Sequence, residues 1–451
     1  MTPSPLARSD LIAARVPRYT SYPTAPHFNS TVTPATVKQW LGAIPGDQAL
    51  SLYFHIPFCE SLCWFCGCHT RVVNHYGPVK AYVDLLLKEI DLIAGQLSSL
   101  HDVSHIHFGG GSPTMLAVDD IERLNAAIRT RFRVRADAEF AVEIDPRGLE
   151  PATITAFAAA GANRASIGLQ DVNPAVQRAI NRWQPLEVTR AAVERLRHAG
   201  IEAVNIDLMY GLPHQTVDDV RRTVDRAVEL SPQRLAVFGY AHVPHMKSHQ
   251  KLIDEQALPT AEDRLRQYDT AHTRLVAHDY QPIGLDHFAL PSDPLAIAQR
   301  QGRLVRNFQG YTTDHAPLIG IGASSISSFS QGYAQNAATV PDYRHSILQA
   351  HLATVRGRAL TNEDRFRGEI IERLMCDLYV DLGEIAARHG RPFGSLTTEL
   401  QMLQPFADQG LLVIDDDRLL VPDRARAGVR LICAAFDQYL QQNEQRHAVA
   451  V

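Results

Sequence analysis

The chain has 451 residues, 45% of them hydrophobic, and a formal net charge of −5 with histidine neutral. At ~150 residues per domain, that length allows roughly two to three domains around a large buried core. The acidic balance argues against a nucleic-acid partner, and no apolar run approaches the ~18 residues of a membrane span.

The chain opens with MTPSPLARSDLIAAR, which carries two arginines and some amphipathic character. Asp10 interrupts its basic face, so an ordinary surface helix is expected rather than a transit peptide, and with no signal peptide the expected location is the cytoplasm. From about residue 48, short β-branched or apolar runs alternate with helical patterns. Candidate strands are LSLYFHI (50–56), SHIHFG (104–109), EFAVEID (139–145), RASIGL (164–169), VNIDLMY (204–210) and RLAVFGY (234–240). Between them lie amphipathic segments such as YVDLLLKEIDLIAGQL and EVTRAAVERLRHAG, the latter stopping at Gly200 as helices often do. Strands separated by helices of this length predict right-handed βαβ units and a parallel sheet. About six such units predict an α/β fold built on a partial or near-complete parallel (β/α) barrel, with functional residues at the carboxyl ends of its strands.

After about residue 340 helical patterns dominate, interrupted by LLVIDDDRLLVP, which reads as a hairpin turning at Asp415–Asp417. The expected division is an N-terminal covering segment (1–47), the barrel (48–340) and a mainly helical, winged-helix-like domain (341–451). The acidic hairpin tip does not suit phosphates, so a structural or substrate-covering role is expected for that last domain. Cys376 and Cys433 sit alone in apolar helical patterns and read as core residues.

The other four of the six cysteines fall in one short loop after the first strand: Cys59, Cys63, Cys66 and Cys68, in PFCESLCWFCGC. The first three form C-x3-C-x2-C, which can hold three irons of a four-iron cluster and leave one iron open for chemistry. A structural zinc site, completed by His69, is the competing reading, although such sites usually take two separated ligand pairs. One βα unit later, GGGSPT (109–114) opens onto a helix. Its glycines let backbone come close to a ligand and are expected to point N–H groups at it. His101, His105 and His107 crowd the second strand, and His242, His245 and His249 follow the sixth. Their spacings fit no single helix face, so ordinary roles are expected for them rather than a second metal.

The cysteine loop, its aromatic Phe65 and the glycine strip resemble the radical S-adenosylmethionine (SAM) superfamily. The resemblance extends through VPRYTSYPT (16–24), YFHIPFCESLCWFCGC (53–68), EIDPR (143–147), GLQD (168–171), VQRAINR (176–182), NIDLMYGLP (205–213), FGYAHVP (238–244), GLDHFA (284–289) and NFQGYTT (307–313). Together these are similar to the oxygen-independent coproporphyrinogen III oxidase family. The resemblance implies a radical-SAM barrel, a [4Fe-4S] cluster on Cys59, Cys63 and Cys66, and two SAM molecules. The first SAM is expected to meet Tyr53, Gly110, Glu143 and Ile326. The second is expected to meet Phe65, Gly111, Ser112, Gln170, Arg182, Asp207 and Ala241. Cys68 is expected beside the SAM pair, needed for turnover rather than for cluster assembly. The implied reaction turns two propionates of coproporphyrinogen III into vinyl groups, with an unidentified electron donor and acceptor. A substrate with four carboxylates needs cationic partners, and Arg18 with the run Arg300, Arg303 and Arg306 are the candidates. His55 and His287, within matched motifs, are expected to be structural or pocket residues. A monomer is expected. A haem-binding paralogue, or another radical-SAM reaction on a tetrapyrrole, is the alternative; RYTSYPT and the fourth loop cysteine favour the oxidase.

Overall fold

A computed structural model describes residues 16–440; the surface helix expected before residue 16 lies outside the described residues, as does the chain after residue 440. The centre is a twelve-stranded sheet. Six strands come in chain order: β1 (Leu50–Ile56), β2 (Asp102–Gly110), β3 (Arg133–Ile144), β4 (Arg164–Gln170), β5 (Ala203–Tyr210) and β6 (Arg234–Gly239). All pair in parallel. They are the six expected strands, with ends shifted most at the start of β3.

The rest of the sheet is a finding of the structure. Strands β7 (Gln281–Ile283) and β8 (His287–Ala289) extend the β6 edge antiparallel. On the other side β9 (Leu318–Ile321) pairs in parallel with β1, and β10 (Ile326–Phe329), β11 (Gly332–Asn336) and β12 (Thr354–Ala359) follow antiparallel. The strand order is therefore 12-11-10-9-1-2-3-4-5-6-8-7, an open, incomplete barrel. The sheet runs past the expected division at residue 340, through β12.

Parallel strands are covered on both faces, so they read as nearly continuous apolar runs. In β1 every residue is buried except the half-buried Tyr53. The covering helices show the complementary pattern. In α1 (Gly77–Ala94), Val79, Tyr82, Val83, Leu86, Ile90 and Ile93 form one buried stripe at helical spacing. The next helix after β5, α2 (Val217–Val228), starts with a capping box in which Thr216 and Asp219 satisfy each other's backbone N–H.

Beyond the sheet, α3 (Asn362–Asp377) is the spine of a separate core containing Phe366, Ile370, Leu374, Leu403 and Phe436. The expected hairpin forms, with Val413–Asp415 pairing Arg418–Leu420 and a third strand, Tyr379–Asp381, beside it. Cys376 and Cys433 are fully buried. The RYTSYPT segment belongs to this core: Tyr19 and Tyr22 pack within it. Tyr19 donates to Asp437 Oδ2 (3.1 Å), and Tyr22 accepts the Gln438 N–H (3.1 Å). The two terminal pieces thus form one unit. It docks on the barrel through Tyr311 Oη donating to Met375 O (3.1 Å), Gln299 Nε2 to Cys376 O (3.0 Å) and Arg426 to Gly284 O.

Candidate active site

The cysteine loop leaves β1 at Pro57 and is closed at its base by a two-residue parallel pairing of Phe58–Cys59 with Arg71–Val72. Its outer turn is tied to the segment after β4: Trp64 N–H donates to Ile180 O (3.0 Å), and Asn181 Nδ2 to Leu62 O (2.9 Å). A loop after β6 holds it from the other side. Lys247 Nζ donates to Cys68 O (2.9 Å), Gln250 Nε2 to Phe65 O (3.1 Å), and His249 Nε2 lies 2.7 Å from Cys66 O. Gln250 also bonds Ala241 O (3.1 Å), linking two expected cofactor residues, Phe65 and Ala241.

Each thiol has a different environment. Burial pushes Cys59 up to about 11, against a contact with Thr70 Oγ1 at 3.1 Å. Cys66 is brought down to about 6, chiefly by the Cys68 thiol, while Cys68 is pushed up by the same contact. Cys63 Sγ accepts from two guanidiniums, Arg147 Nη2 (3.4 Å) and Arg182 Nη1 (3.5 Å). Asp145 braces both, at 2.6 Å from Arg147 Nη2 and 3.4 Å from Arg182 Nη1. Three thiols on one backbone-braced loop, one in a doubly cationic setting, fit an anionic iron-sulfur cluster. Cys68 lies against Cys66, whose sulfur accepts the Cys68 N–H at 3.4 Å.

The glycine strip differs from expectation in one respect. Its N–H groups are committed within the protein: Gly110 N–H to Glu143 Oε2 (3.0 Å), Gly111 N–H to Ile56 O (2.9 Å) and Ser112 N–H to Phe58 O (2.7 Å). The backbone of Gly110–Ser112 is therefore left with carbonyl oxygens for a ligand, which suits a cationic amino group better than a phosphate. Glycine is required here by packing. At Gly110 (φ 108°) an added Cβ would lie 2.5 Å from the His55 ring, and at Gly111 2.5 Å from Phe58 O.

The expected first cofactor set comes together. Tyr53 Oη lies 3.1 Å from His55 Nδ1, and its ring is 5.6 Å from His107. His107 Nε2 sits 3.2 Å from Glu143 Oε1. Burial alone would raise Glu143, but His107 and the Gly110 N–H outweigh it and hold the carboxyl below its usual range. Ile326 reaches the group through β9: Gly320, in register with Tyr53, packs against the Ile326 backbone.

The second set centres on a bulge. Gln170 ends β4 with φ 67°, where the register against β5 shifts. A non-glycine residue in the left-handed region at a strand end is the kind of strain found at functional sites. Arg182 Nη2 bonds Gly168 O at 2.7 Å. Gln170 Oε1 and Arg182 Nε are both buried without a hydrogen-bond partner. One acceptor and one donor left open suit the ammonium and carboxylate of an amino-acid group, as SAM carries. Ser112 is buried, with Oγ 2.9 Å from Thr114 Oγ1. Asp207 accepts from Ser166 Oγ (3.1 Å) and is raised to about 6 by burial and then by Glu143.

Two cavities fill the barrel interior. The first is lined by His107, Glu143, Ser166 and Asp207, and at its floor by the ion-paired Glu139, Arg164 and Arg234. The second is lined, among the described residues, by Arg18, Arg264, Arg306 and Arg430 together with Asp286. They share Phe238, His287 and Gln309, so the two compartments adjoin.

Of the expected cationic run only Arg306 reaches this interior. Arg300 instead donates to Gln281 Oε1 (2.8 Å) and Pro291 O (2.9 Å), and Arg303 to Gln301. A turn at Gly302 breaks any common face. Arg264, Arg430 and Arg147 were not singled out from sequence; only Arg147 lay in a quoted motif, EIDPR. The histidine groups have separate partners: Gln48 O for His101, Ser104 Oγ for His105, Glu143 for His107 and Glu255 for His242. His55 Nε2 lies 2.9 Å from His69 O, a structural contact, and His287 lines both cavities, as expected.

Known proteins resemble this chain in sequence and fold. Residues 53–227 match the family model of the Radical SAM superfamily, and residues 360–427 that of the HemN C-terminal domain. The chain is 47% identical over 449 residues to the oxygen-independent coproporphyrinogen III oxidase of Bradyrhizobium diazoefficiens, covering 98% of this chain and 100% of that one. It is 45% identical over 439 residues to the same-named protein of Paracoccus denitrificans, covering 97% of each. The solved structure of coproporphyrinogen III oxidase (HemN) from Escherichia coli, a radical SAM enzyme, superposes with a TM-score of 0.89 at 40% identity, over 94% of this chain and 98% of that one.

Proposed function

The chain belongs to the oxygen-independent coproporphyrinogen III oxidase family, and we propose from that premise how its residues divide the work of an anaerobic oxidative decarboxylation. The reaction converts coproporphyrinogen III to protoporphyrinogen IX. Each of two propionates loses a β-hydrogen atom, carbon dioxide and one electron. When bound, the [4Fe-4S] cluster and SAM supply the 5′-deoxyadenosyl radical that takes that hydrogen atom.

Cys59, Cys63 and Cys66 hold the cluster, and Arg147 and Arg182 offset the charge on Cys63. Tyr53, Gly110, Glu143 and Ile326 enclose a first SAM, with the strip's carbonyls facing its amino group. Phe65, Gly111, Ser112, Gln170, Arg182, Asp207 and Ala241 enclose a second. Gln170 and Arg182 meet its amino-acid end, and Asp207 accepts from its ribose hydroxyls. Cys68, beside Cys66 and outside the ligand set, acts in turnover. Arg18, held over the barrel by the C-terminal core, pairs with a substrate carboxylate. The electron donor is a separate partner, and the chain works as a monomer. Among the described residues no helix is long and apolar enough to cross a membrane.

The observation that carries this reading is the adjoining of the two compartments within one barrel interior, across Phe238, His287 and Gln309. SAM held in one would lie next to a substrate held in the other, both within the same barrel. The test is anaerobic incubation of the reconstituted protein with SAM, a reductant and coproporphyrinogen III. Protoporphyrinogen IX and 5′-deoxyadenosine are expected together; haem binding without decarboxylation would instead identify a carrier. Equilibrium binding of SAM should give a stoichiometry of two.

A further inference from the structure

Glu89 lies on α1, which packs against β9, and is 1% exposed. No step proposed above involves it. Its carboxylate takes three neutral donors: Gly322 N–H (2.6 Å) and Tyr343 Oη (2.6 Å) on Oε2, and Asn336 Nδ2 (2.7 Å) on Oε1. They come from the turn after β9, the helix Val340–Leu348 and the end of β11. Burying a carboxylate is costly, and apolar packing would join these elements at lower cost. Three short bonds on one buried group do what packing does not: they fix the place of each donor. The turn 322–325 is what they fix. Gly322 takes φ 104°, and a Cβ there would lie 2.5 Å from Tyr82 Oη and 2.8 Å from His55 O. Ser324 takes φ 64°, a left-handed conformation that a non-glycine residue keeps only where its surroundings impose it. Asn336 Nδ2 also reaches Gly322 O (3.0 Å) and Ser325 Oγ (3.3 Å). Tyr82, on the same face of α1, accepts the Ala323 N–H (2.7 Å) and donates to His55 O (3.0 Å). The turn therefore sits at the carboxyl end of β9, beside the end of β1, and runs directly into Ile326. Its neighbour His55 has its ring 3.1 Å from Tyr53 Oη and leaves Gly110 no room for a Cβ.

We infer that Glu89 is a positioning residue for the first SAM, acting through the turn 322–325 on Ile326 and, through Tyr82 and His55, on Tyr53 and Gly110. This rests on the cofactor assignment proposed above. None of the three donors on Glu89 is itself an expected cofactor residue, so its influence is carried by the turn. Glu89 and Tyr82 hold consecutive N–H groups, those of Gly322 and Ala323, which leaves the turn little freedom to relax away from His55. Removing the carboxylate frees Gly322, Asn336 and Tyr343 together, and the strain at Ser324 is then relieved by moving Ile326.

The test is equilibrium binding of SAM to the anaerobically reconstituted holoenzyme at pH 8, above the value of about 7 to which burial raises Glu89. Glu89→Gln keeps the size of the side chain and turns one acceptor into a donor that faces a donor. It should retain cluster iron, weaken one of the two SAM molecules about 10-fold and leave the other unchanged. Ile326→Ala should weaken the same molecule. The double variant should fall well short of the product of the two single effects, because both act through one position. Tyr343→Phe, which removes one donor and leaves the carboxylate, should act in the same direction by a smaller factor, and it decides the matter if Glu89→Gln does not fold. Ile93→Ala, which opens a cavity beside the same helix without removing these bonds, should lower stability and change neither affinity. Unchanged SAM binding in Glu89→Gln, equal weakening of both molecules, effects that multiply in the double variant, or the same weakening in Ile93→Ala would each overturn the assignment. Conversion of coproporphyrinogen III by the wild type, followed separately, tests the proposed function: a wild type that binds SAM but makes no protoporphyrinogen would overturn that function and not this role.

Discussion

The two compartments of the barrel interior are built in opposite ways. The cofactor side is made from the ends of neighbouring parallel strands: Tyr53 on β1, Gly110 on β2, Glu143 on β3, Gln170 on β4 and Asp207 on β5. Each arrives in a short contiguous motif, and the βα repeat alone brings the ends together. The cationic side is closed by tertiary docking, with Arg18 and Arg430 at opposite ends of the chain. The proposed function puts chemistry common to a superfamily on the repeat and recognition of one substrate on what is attached to it. Loss of any strand-end group should damage cofactor handling, and loss of any attached arginine should damage substrate handling.

The sharpest break of that division is within the cysteine loop. Cys63→Ser should lose cluster iron and abolish turnover, a fall of at least about 1,000-fold, because no neighbouring thiol is placed among the arginines. Cys68→Ser should retain iron and the cluster's absorbance while losing turnover to a comparable degree. Iron analysis and visible spectra decide the matter, and equal iron loss in the two variants would place Cys68 in the ligand set. A smaller effect separates the compartments by ligand. Glu143→Gln should raise KM for SAM by roughly 10-fold with little change in KM for the porphyrinogen. Arg18→Ala should do the reverse. If both variants shift both constants equally, the compartments are not functionally distinct.

What could be read in the sequence follows the same line. The six parallel strands and the cysteine loop were legible because long apolar runs and fixed spacings are local properties. Strands β9 and β10 were not: LIGIGASSISSF offers only four-residue strands with small and polar residues between them, and the partner of β9, β1, lies far away in sequence. The glycine strip was legible as a close approach to a ligand, but its direction was not. Which N–H groups are already taken depends on Glu143, Ile56 and Phe58. The arginine run at 300–306 looked like one cationic patch, yet only Arg306 turns inward, against Asp286 and with its guanidinium 4.6 Å from the Tyr311 ring centroid. Arg264 and Arg430 resemble ordinary helix residues until the fold brings them beside Arg18.

Arg147 sharpens the cofactor side further. It touches Cys63 but no expected substrate residue, so its effect should be electronic. Arg147→Met removes a cationic donor from a thiolate, which disfavours the added electron. The cluster potential in an EPR-monitored titration should fall by roughly 50 mV, about a tenfold change in a one-electron equilibrium. Iron content should be retained, and an unchanged potential would leave Arg147 a merely structural brace for Asp145.

The smallest expected effect concerns what each compartment costs the fold. Asp207 is raised to about 6 from its ordinary 3.8, by burial and then by Glu143, so its neutral form is the one the fold prefers. That contribution to stability is fully present below the ordinary value and is lost as pH climbs through about 6. At neutral pH the ionised Asp207 is therefore a liability in the protein without ligands. The gap is worth at most about 3 kcal/mol, and the aqueous cavity it faces screens this to about 1–2 kcal/mol. Asp207→Asn should stabilise the apo-protein by that amount in urea unfolding at pH 7, lose most of the gain below about pH 4.5, and bind SAM more weakly. An equal gain at both pH values would mean that the benefit is packing and not charge.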